Sequence, residues 1–382
     1  MTITPPFYDI SSKRPTGGNT YIVGEGEEFT SLHRLDEKVL PGDIIRIKAG
    51  HYNYERFFNS GGDIDNPLWI EAYGDGDVIY KWHEKKPMYF MKDNVVLEGG
   101  MNHQLKFTNT DAHILRIIGK NIIFHQLEVF GAGSQSSVIK DHTGIHPMGS
   151  NAQILNCYLH DNLGQGTYYA TVGNDEILEG LLFAGNTVKD NGGSGFQSNP
   201  HAQGANYIGG SNIVECNYFE NNGFRFDKSN IVLTPQIAAD QLKGMFFIAN
   251  NYCTLGENAN IKINYNGDCV VFVQNNISTR ARGTGLLQSK NAEAPGLVSW
   301  IENHSFGNGR DVASHHTDNA VFKNNIIGQP RLVPDWPNKD IPEPIPEPEP
   351  EPEQPPVNND VLLRLTDLEI QMNELKEHLR NS

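Results

Sequence analysis

An asparagine set behind a short apolar run recurs along this chain, at LNCYL (155–159), GNTV (185–188), CNYF (216–219), NNYC (250–253), NNIS (275–278), NHSF (303–306) and NNII (324–327). The aligned residues are Asn156, Asn186, Asn217, Asn251, Asn276, Asn303 and Asn325, with separations of 30, 31, 34, 25, 27 and 22. Self-similarity at such a period marks a stacked array of small units. Each period holds two or three short apolar runs split by Gly or Asn, and none holds a convincing helix. Short strands with several turns per period fit a parallel β-helix, in which each coil stacks on the next at about 4.8 Å. An Asn turned inward at the same corner of every coil can satisfy turn backbone groups and bond the Asn above and below. The series is therefore read as structural, not as a ligand set.

The segment before these coils fits the same architecture. FTSLHRLDEKVLPGDIIRIKAGHY (29–52) reads as a short amphipathic helix with Phe29, Leu32, Leu35 and Val39 on one face, then a Pro-Gly-Asp turn and an alternating strand through Ile45, Ile47 and Ala49. Such a helix would plug the open end of the solenoid and shield its first edge. Further strands are expected at 67–74, 94–100 and 121–130.

The order of cap helix, PGDIIRIKAGHY, NPLWIEAYGDG (66–76) and Asn-marked coils resembles right-handed parallel β-helix proteins of the pectate-lyase-like superfamily. The opening is most similar to the alginate lyase and chondroitinase B branch. The resemblance covers residues 20–330 and implies an all-β solenoid. It is specific for fold and weak for activity, since one scaffold hosts many chemistries.

The rest of the chain changes character. IPEPIPEPEPEPEQPP (341–356) alternates Pro with Glu and is expected to be an extended spacer. Beyond it, Val361, Leu365, Leu368, Met372, Leu375 and Leu379 follow heptad spacing. Arg364-Leu365-x-x-Leu368-Glu369 resembles the pattern of short trimeric coiled coils. The expected organisation is an arm at 1–19, a parallel β-helix domain at 20–335, a Pro/Glu-rich linker at 336–359 and an oligomerisation helix at 360–382 that makes a homotrimer.

Net charge is −16, part of it in the Pro/Glu stretch, which argues against a nucleic-acid partner. No run of about 18 apolar residues marks a membrane span. The start, MTITPPFYDISSKRP, lacks a signal-peptide pattern. The expectation is a virion-associated or surface-attachment protein if phage-encoded, and a cytoplasmic one otherwise. Cys157, Cys216, Cys253 and Cys269 match no metal-ligand spacing and read as buried thiols.

In such a solenoid one sheet lines a groove along the axis. Candidate groove strands are 143–149, 194–200, 229–235, 259–265, 284–290 and 312–318. With Ile145, Phe196, Ile261, Ile263 and Leu287 inward, His146, Gln197, Asn199, Lys262, Asn264, Gln288 and Lys290 point outward, and His315 or His316 extends the column. Tyr168, Tyr169, Tyr207 and Tyr265 lie in or near it and could stack on sugar rings. The expected partner is a polysaccharide.

A glycoside hydrolase needs two carboxyl groups at a set separation. The column has none, and Asp190, Asp227, Glu257 and Asp318 lie at its margins. A polyuronide lyase needs a base for the C5 proton and a cation for the carboxylate. NANIKINYNGD (258–268) resembles the strand carrying the catalytic lysine in the alginate lyase branch, which implies Lys262 as base. Where that branch places an arginine one coil later, this chain reads GTGLLQSK (283–290), with Gln288 in its place and Arg282 and Lys290 nearby; His146 completes the catalytic candidates. Gln197, Asn199, Asn264, Tyr265 and Gln288 are the substrate-binding candidates. In that branch Ca2+ often holds the carboxylate; here its Asn/Glu set is not clearly present, Glu257 and Asn199 are the nearest candidates, and Ca2+ stays an option without a fixed metal site. His142, His146 and His160 sit on strand and loop and need not converge on a metal. The competing reading is a non-catalytic carbohydrate-binding or structural module in which three copies supply avidity.

Overall fold

The computed structural model describes residues 4–53, 55–100, 102–136, 142–170, 177–199, 208–233, 244–264, 269–288, 297–314 and 320–328. Within them the main body is a parallel β-helix. Every named strand pairing is parallel, each strand bonding to its counterpart one coil later. A ten-stranded sheet runs in order from Phe57–Phe58 through Met88–Phe90, Leu115–Ile117, Ile145–Pro147, Thr167–Tyr169, Phe196–Ser198, Ile231–Leu233, Ala259–Ile263 and Thr284–Gln288 to Arg310–Ser314. The other 21 strands form two further faces, joined because the long strand Leu68–Trp82 pairs in both. Residues 9–12 belong to a separate small unit, in which the Asp9 carboxylate accepts the Ser11 amide at 2.8 Å and the Ser11 hydroxyl at 3.0 Å.

The strands alternate because one face must be dry. Ile45, Ile47, Ile70, Phe107, Phe124, Phe183, Phe219, Ile248, Val273 and Trp300 are all buried in one continuous core. The four cysteines are free and buried. No helix of the described residues is long and apolar enough to cross a membrane.

The asparagine corner is built as a ladder. Nδ2 of Asn186 donates to Oδ1 of Asn217 at 3.0 Å, Asn217 to Asn251 at 2.9 Å, Asn251 to Asn276 at 2.9 Å, Asn276 to Asn303 at 3.0 Å and Asn303 to Asn325 at 3.0 Å. Each Oδ1 also accepts the backbone amide one coil earlier, so every corner is satisfied in the dry interior. Asn156 is not a rung. The amide bonding Asn186 is that of Cys157, and Asn156 sits one residue ahead, at φ 52°. Its side chain instead holds Tyr8, accepting the Tyr8 amide at 3.0 Å and donating to the Tyr8 carbonyl at 2.8 Å. A second ladder, five residues on, runs Asn162, Asn191, Asn222, Asn230 and Asn260, with links of 2.9, 2.8, 2.8 and 2.8 Å.

The amphipathic helix expected at 29–39 is instead one 3-10 turn, Leu32–Leu35. Three residues per turn already put Leu32 and Leu35 on one side, and both are buried. The carboxylate of Glu55 accepts the amides of Leu32 at 3.0 Å and His33 at 2.7 Å, satisfying donors that the start of a helical turn leaves without an internal partner. Glu37 at φ 64° then breaks the helical path. The Pro/Glu linker and the heptad segment lie outside the described residues.

Candidate functional site

The outward face of the ten-stranded sheet carries one residue per coil in a single register. The pairings align Phe57 with Tyr89, Tyr89 with Arg116 and Arg116 with His146. Further along, Tyr168 aligns with Gln197, Gln197 with Val232, Val232 with Lys262 and Lys262 with Leu287. The His146 and Tyr168 rings bridge the two halves with centroids 5.1 Å apart. Parallel strands stack in register, so this column is a straight line of side chains spaced by about 4.8 Å per coil.

Three expected groove residues fall on this line. His146 and Gln197 point away from the core yet are only 3% and 6% exposed, so they form the floor of the face rather than its rim. Gln197 Oε1 accepts from Gln165 Nε2 at 3.2 Å, and Gln165 Oε1 accepts from the Thr143 hydroxyl at 3.0 Å. This network fixes the Gln197 amide. Lys262 is half-buried, and burial, then the charge of Lys228, holds its ammonium below the usual lysine range, against an opposing pull from Asp227. Asn199 and Asn264 lie two residues beyond Gln197 and Lys262, on a parallel outward line. Asn199 is 1% exposed, and neither its Oδ1 nor its Nδ2 has a hydrogen-bond partner among the described residues.

Other expected residues fall elsewhere. Gln288 points inward. The register sets Ile261 against Leu286, Lys262 against Leu287 and Ile263 against Gln288. Leu286 is therefore the buried residue, Leu287 takes the outward place beside Lys262, and Gln288 Oε1 accepts from Trp300 Nε1 at 3.2 Å inside the core. Two successive leucines hide the phase of this strand, and a slip of one residue exchanges its faces. Tyr169 is also internal, donating its hydroxyl to Asn212 Oδ1 at 2.8 Å, so Tyr168 alone of that pair faces outward. Arg282 precedes its strand, off the column, and pairs with Glu257 at 2.5 Å. Glu257 lies in the turn ahead of Ala259–Ile263 whereas Asn199 follows Phe196–Ser198, so the two do not converge as a calcium set. Lys290, Tyr207, Tyr265, His315, His316 and Asp318 lie outside the described residues.

The histidines divide between two faces. His142 and His146 both approach His113, with ring centroids 5.6 and 6.4 Å apart. His113 Nδ1 accepts the Thr143 amide at 2.9 Å, and burial, then the neighbouring Arg116 charge and His142, push its pKa down to about 3. His160 belongs to another face, between Glu128 at 3.1 Å and Asp161 at 2.7 Å. No group of three or more His, Cys, Asp or Glu side chains among the described residues converges as a metal site.

Arg116, Tyr89 and His113 belong to this face although the sequence reading began the groove at residue 143. The signal was present: Leu115-Arg116-Ile117 alternates in the same phase as Ile145-His146-Pro147, its neighbour one coil later.

The sequence matches no family model and no curated protein. Among solved structures, the pectate lyase Pel9A superposes with a TM-score of 0.60 at 15% identity, over 82% of this chain and 81% of that one. A rhamnogalacturonan lyase superposes with a TM-score of 0.59 at 15% identity, over 81% of this chain and 87% of that one. At these identities the likeness concerns architecture alone: this chain shares the parallel β-helix fold of these two lyases.

Proposed function

We propose that this protein engages a polysaccharide along the outward column of the ten-stranded sheet. The observation that carries this reading is the straight alignment of Arg116, His146, Tyr168, Gln197, Val232 and Lys262 on successive strands, polar or aromatic at every place but Val232. A repeating polymer meets a repeating surface, with an aromatic ring for a sugar face and amide and charged groups for its substituents. The two lyases that share the fold add support by analogy of scaffold.

The finer proposal is a polyuronide lyase acting by β-elimination. Lys262, held below its usual pKa, would take the proton next to the sugar carboxylate while the bond to the leaving oxygen breaks. One observation favours binding without cleavage: the outward neighbour of Lys262 one coil on is Leu287, which cannot neutralise a carboxylate.

A depolymerisation screen separates these. The protein, with and without Ca2+, is incubated with alginate, pectate, glycosaminoglycans and neutral glycans. Ultraviolet absorbance reports unsaturated uronate ends, and a reducing-end assay reports all new ends. Absorbance that disappears in Lys262→Ala supports the lyase. Reducing ends without absorbance overturn it in favour of hydrolysis. Retention on glycans with neither signal leaves the binding reading.

A further inference from the structure

Three arginines of the described residues hold carboxylates. Arg14 and Arg46 share Glu71, each at 2.8 Å, and Arg282 holds Glu257. Arg116 has none among the described residues. Its one hydrogen bond runs from Nη1 to the Tyr89 hydroxyl at 3.3 Å, and its guanidinium lies 5.7 Å from the Tyr89 ring centroid. Nε of Arg116 is buried with no hydrogen-bond partner among the described residues. A half-buried guanidinium with an unsatisfied N–H is costly, and that cost is recovered when an anion supplies both charge and acceptor atoms.

The surroundings are arranged for such a guest. Tyr89 and His146 flank Arg116 in the outward column. His113, three residues before Arg116, accepts the Thr143 amide through Nδ1, which leaves its other nitrogen to carry the proton in the neutral ring. The site lies five strands from Lys262, about 24 Å along the axis at the usual strand spacing. One sugar residue cannot touch both.

We propose that Arg116, with Tyr89 and His146 on either side, forms a binding subsite for an oxyanion carried by a sugar, a carboxylate or a sulfate ester. This rests on the reading that a polysaccharide lies in the groove. The fork geometry of arginine accepts either oxyanion through paired N–H donors. The subsite would hold a charged residue of the polymer several units from Lys262 and set the register in which the chain lies.

The test has two arms. In the first, the Nε–H resonance of Arg116, identified by its loss in Arg116→Lys, is followed by NMR during titration with sodium glucuronate, glucose 6-sulfate and methyl glucoside. A shift with glucuronate or glucose 6-sulfate but not with methyl glucoside supports the subsite, and the stronger of the two names the group. No shift with either anion, or an equal shift with methyl glucoside, overturns it. In the second arm, Arg116→Gln is compared with the unaltered protein on an acidic polysaccharide and its carboxyl-reduced form. The loss of one charge-assisted contact should weaken binding to the acidic polymer about tenfold more than binding to the reduced polymer. Unchanged binding to the acidic polymer overturns the subsite while leaving the groove intact. A shifted resonance in a protein that retains no polymer keeps the subsite and removes the groove reading.

Discussion

Asn217 donates from Nδ2 to Oδ1 of Asn251 at 2.9 Å, and the same oxygen accepts the backbone amide of Asn217 at 3.1 Å. Asn251 passes the pattern on, donating to Val214 O and to Asn276 Oδ1, both at 2.9 Å. Asn251→Ala would orphan two donors of Asn217 and the Val214 carbonyl, all in the dry interior. The expected loss is about 3 kcal/mol, since each unsatisfied buried group costs about 1–3 kcal/mol. Urea unfolding followed by circular dichroism measures it. A change under about 0.5 kcal/mol would mean that the ladder does not hold the coils.

Glu302 occupies the turn position ahead of a ladder asparagine with φ 55°, where the neighbouring coils have Asn275 and Asn324. Left-handed backbone costs most residues about 1–2 kcal/mol, and Asn tolerates it best after Gly. Glu302→Asn should therefore stabilise the protein by about 1 kcal/mol in the same unfolding measurement.

His113 is held neutral. Its folded pKa of about 3 lies below the usual 6.5, so the unfolded chain takes up the proton first. The stability contributed by the neutral ring is complete above pH 6.5 and is lost as pH falls from there toward about 3. Thermal unfolding across this window should show a decline that His113→Gln flattens. An identical decline in the variant would place the acid sensitivity elsewhere.

If Lys262 is the base, activity rises with pH, because only the neutral amine accepts a proton. Its lowered pKa moves that rise below the range of an ordinary lysine. Lys262→Ala should abolish elimination without loss of the sheet signal in circular dichroism, and a pH–rate profile of the unaltered protein checks the direction. Activity that falls between neutral and mildly alkaline pH would exclude Lys262 from this role.

The solenoid was legible because its signal is repeated. The asparagine series and the alternating strands both survive averaging over many coils. The phase of single strands was less legible. Thr284–Gln288 carries two adjacent leucines, so alternation could not say which faced inward, and the register against Ile261 decided it. Asn156 resembled a rung because it too precedes an apolar run, yet the geometry assigns that place to Cys157. The second ladder went unnoticed although Asn186 and Asn191, and Asn217 and Asn222, repeat the same offset. Arg116 was missed because its coil precedes the first marked asparagine, so no landmark drew the groove back that far. The 3-10 turn in place of a helix depended on Glu55, a distant side chain that no local pattern reveals.

The central claim is that the outward column is where a polysaccharide lies. Affinity electrophoresis through gels containing alginate, pectate or a glycosaminoglycan, comparing the unaltered protein with the double variant Tyr168→Ala, Gln197→Ala, tests it most directly. The account predicts retardation of the unaltered protein on at least one acidic gel and its loss in the variant, with circular dichroism unchanged. Retardation that persists undiminished in the variant would contradict it.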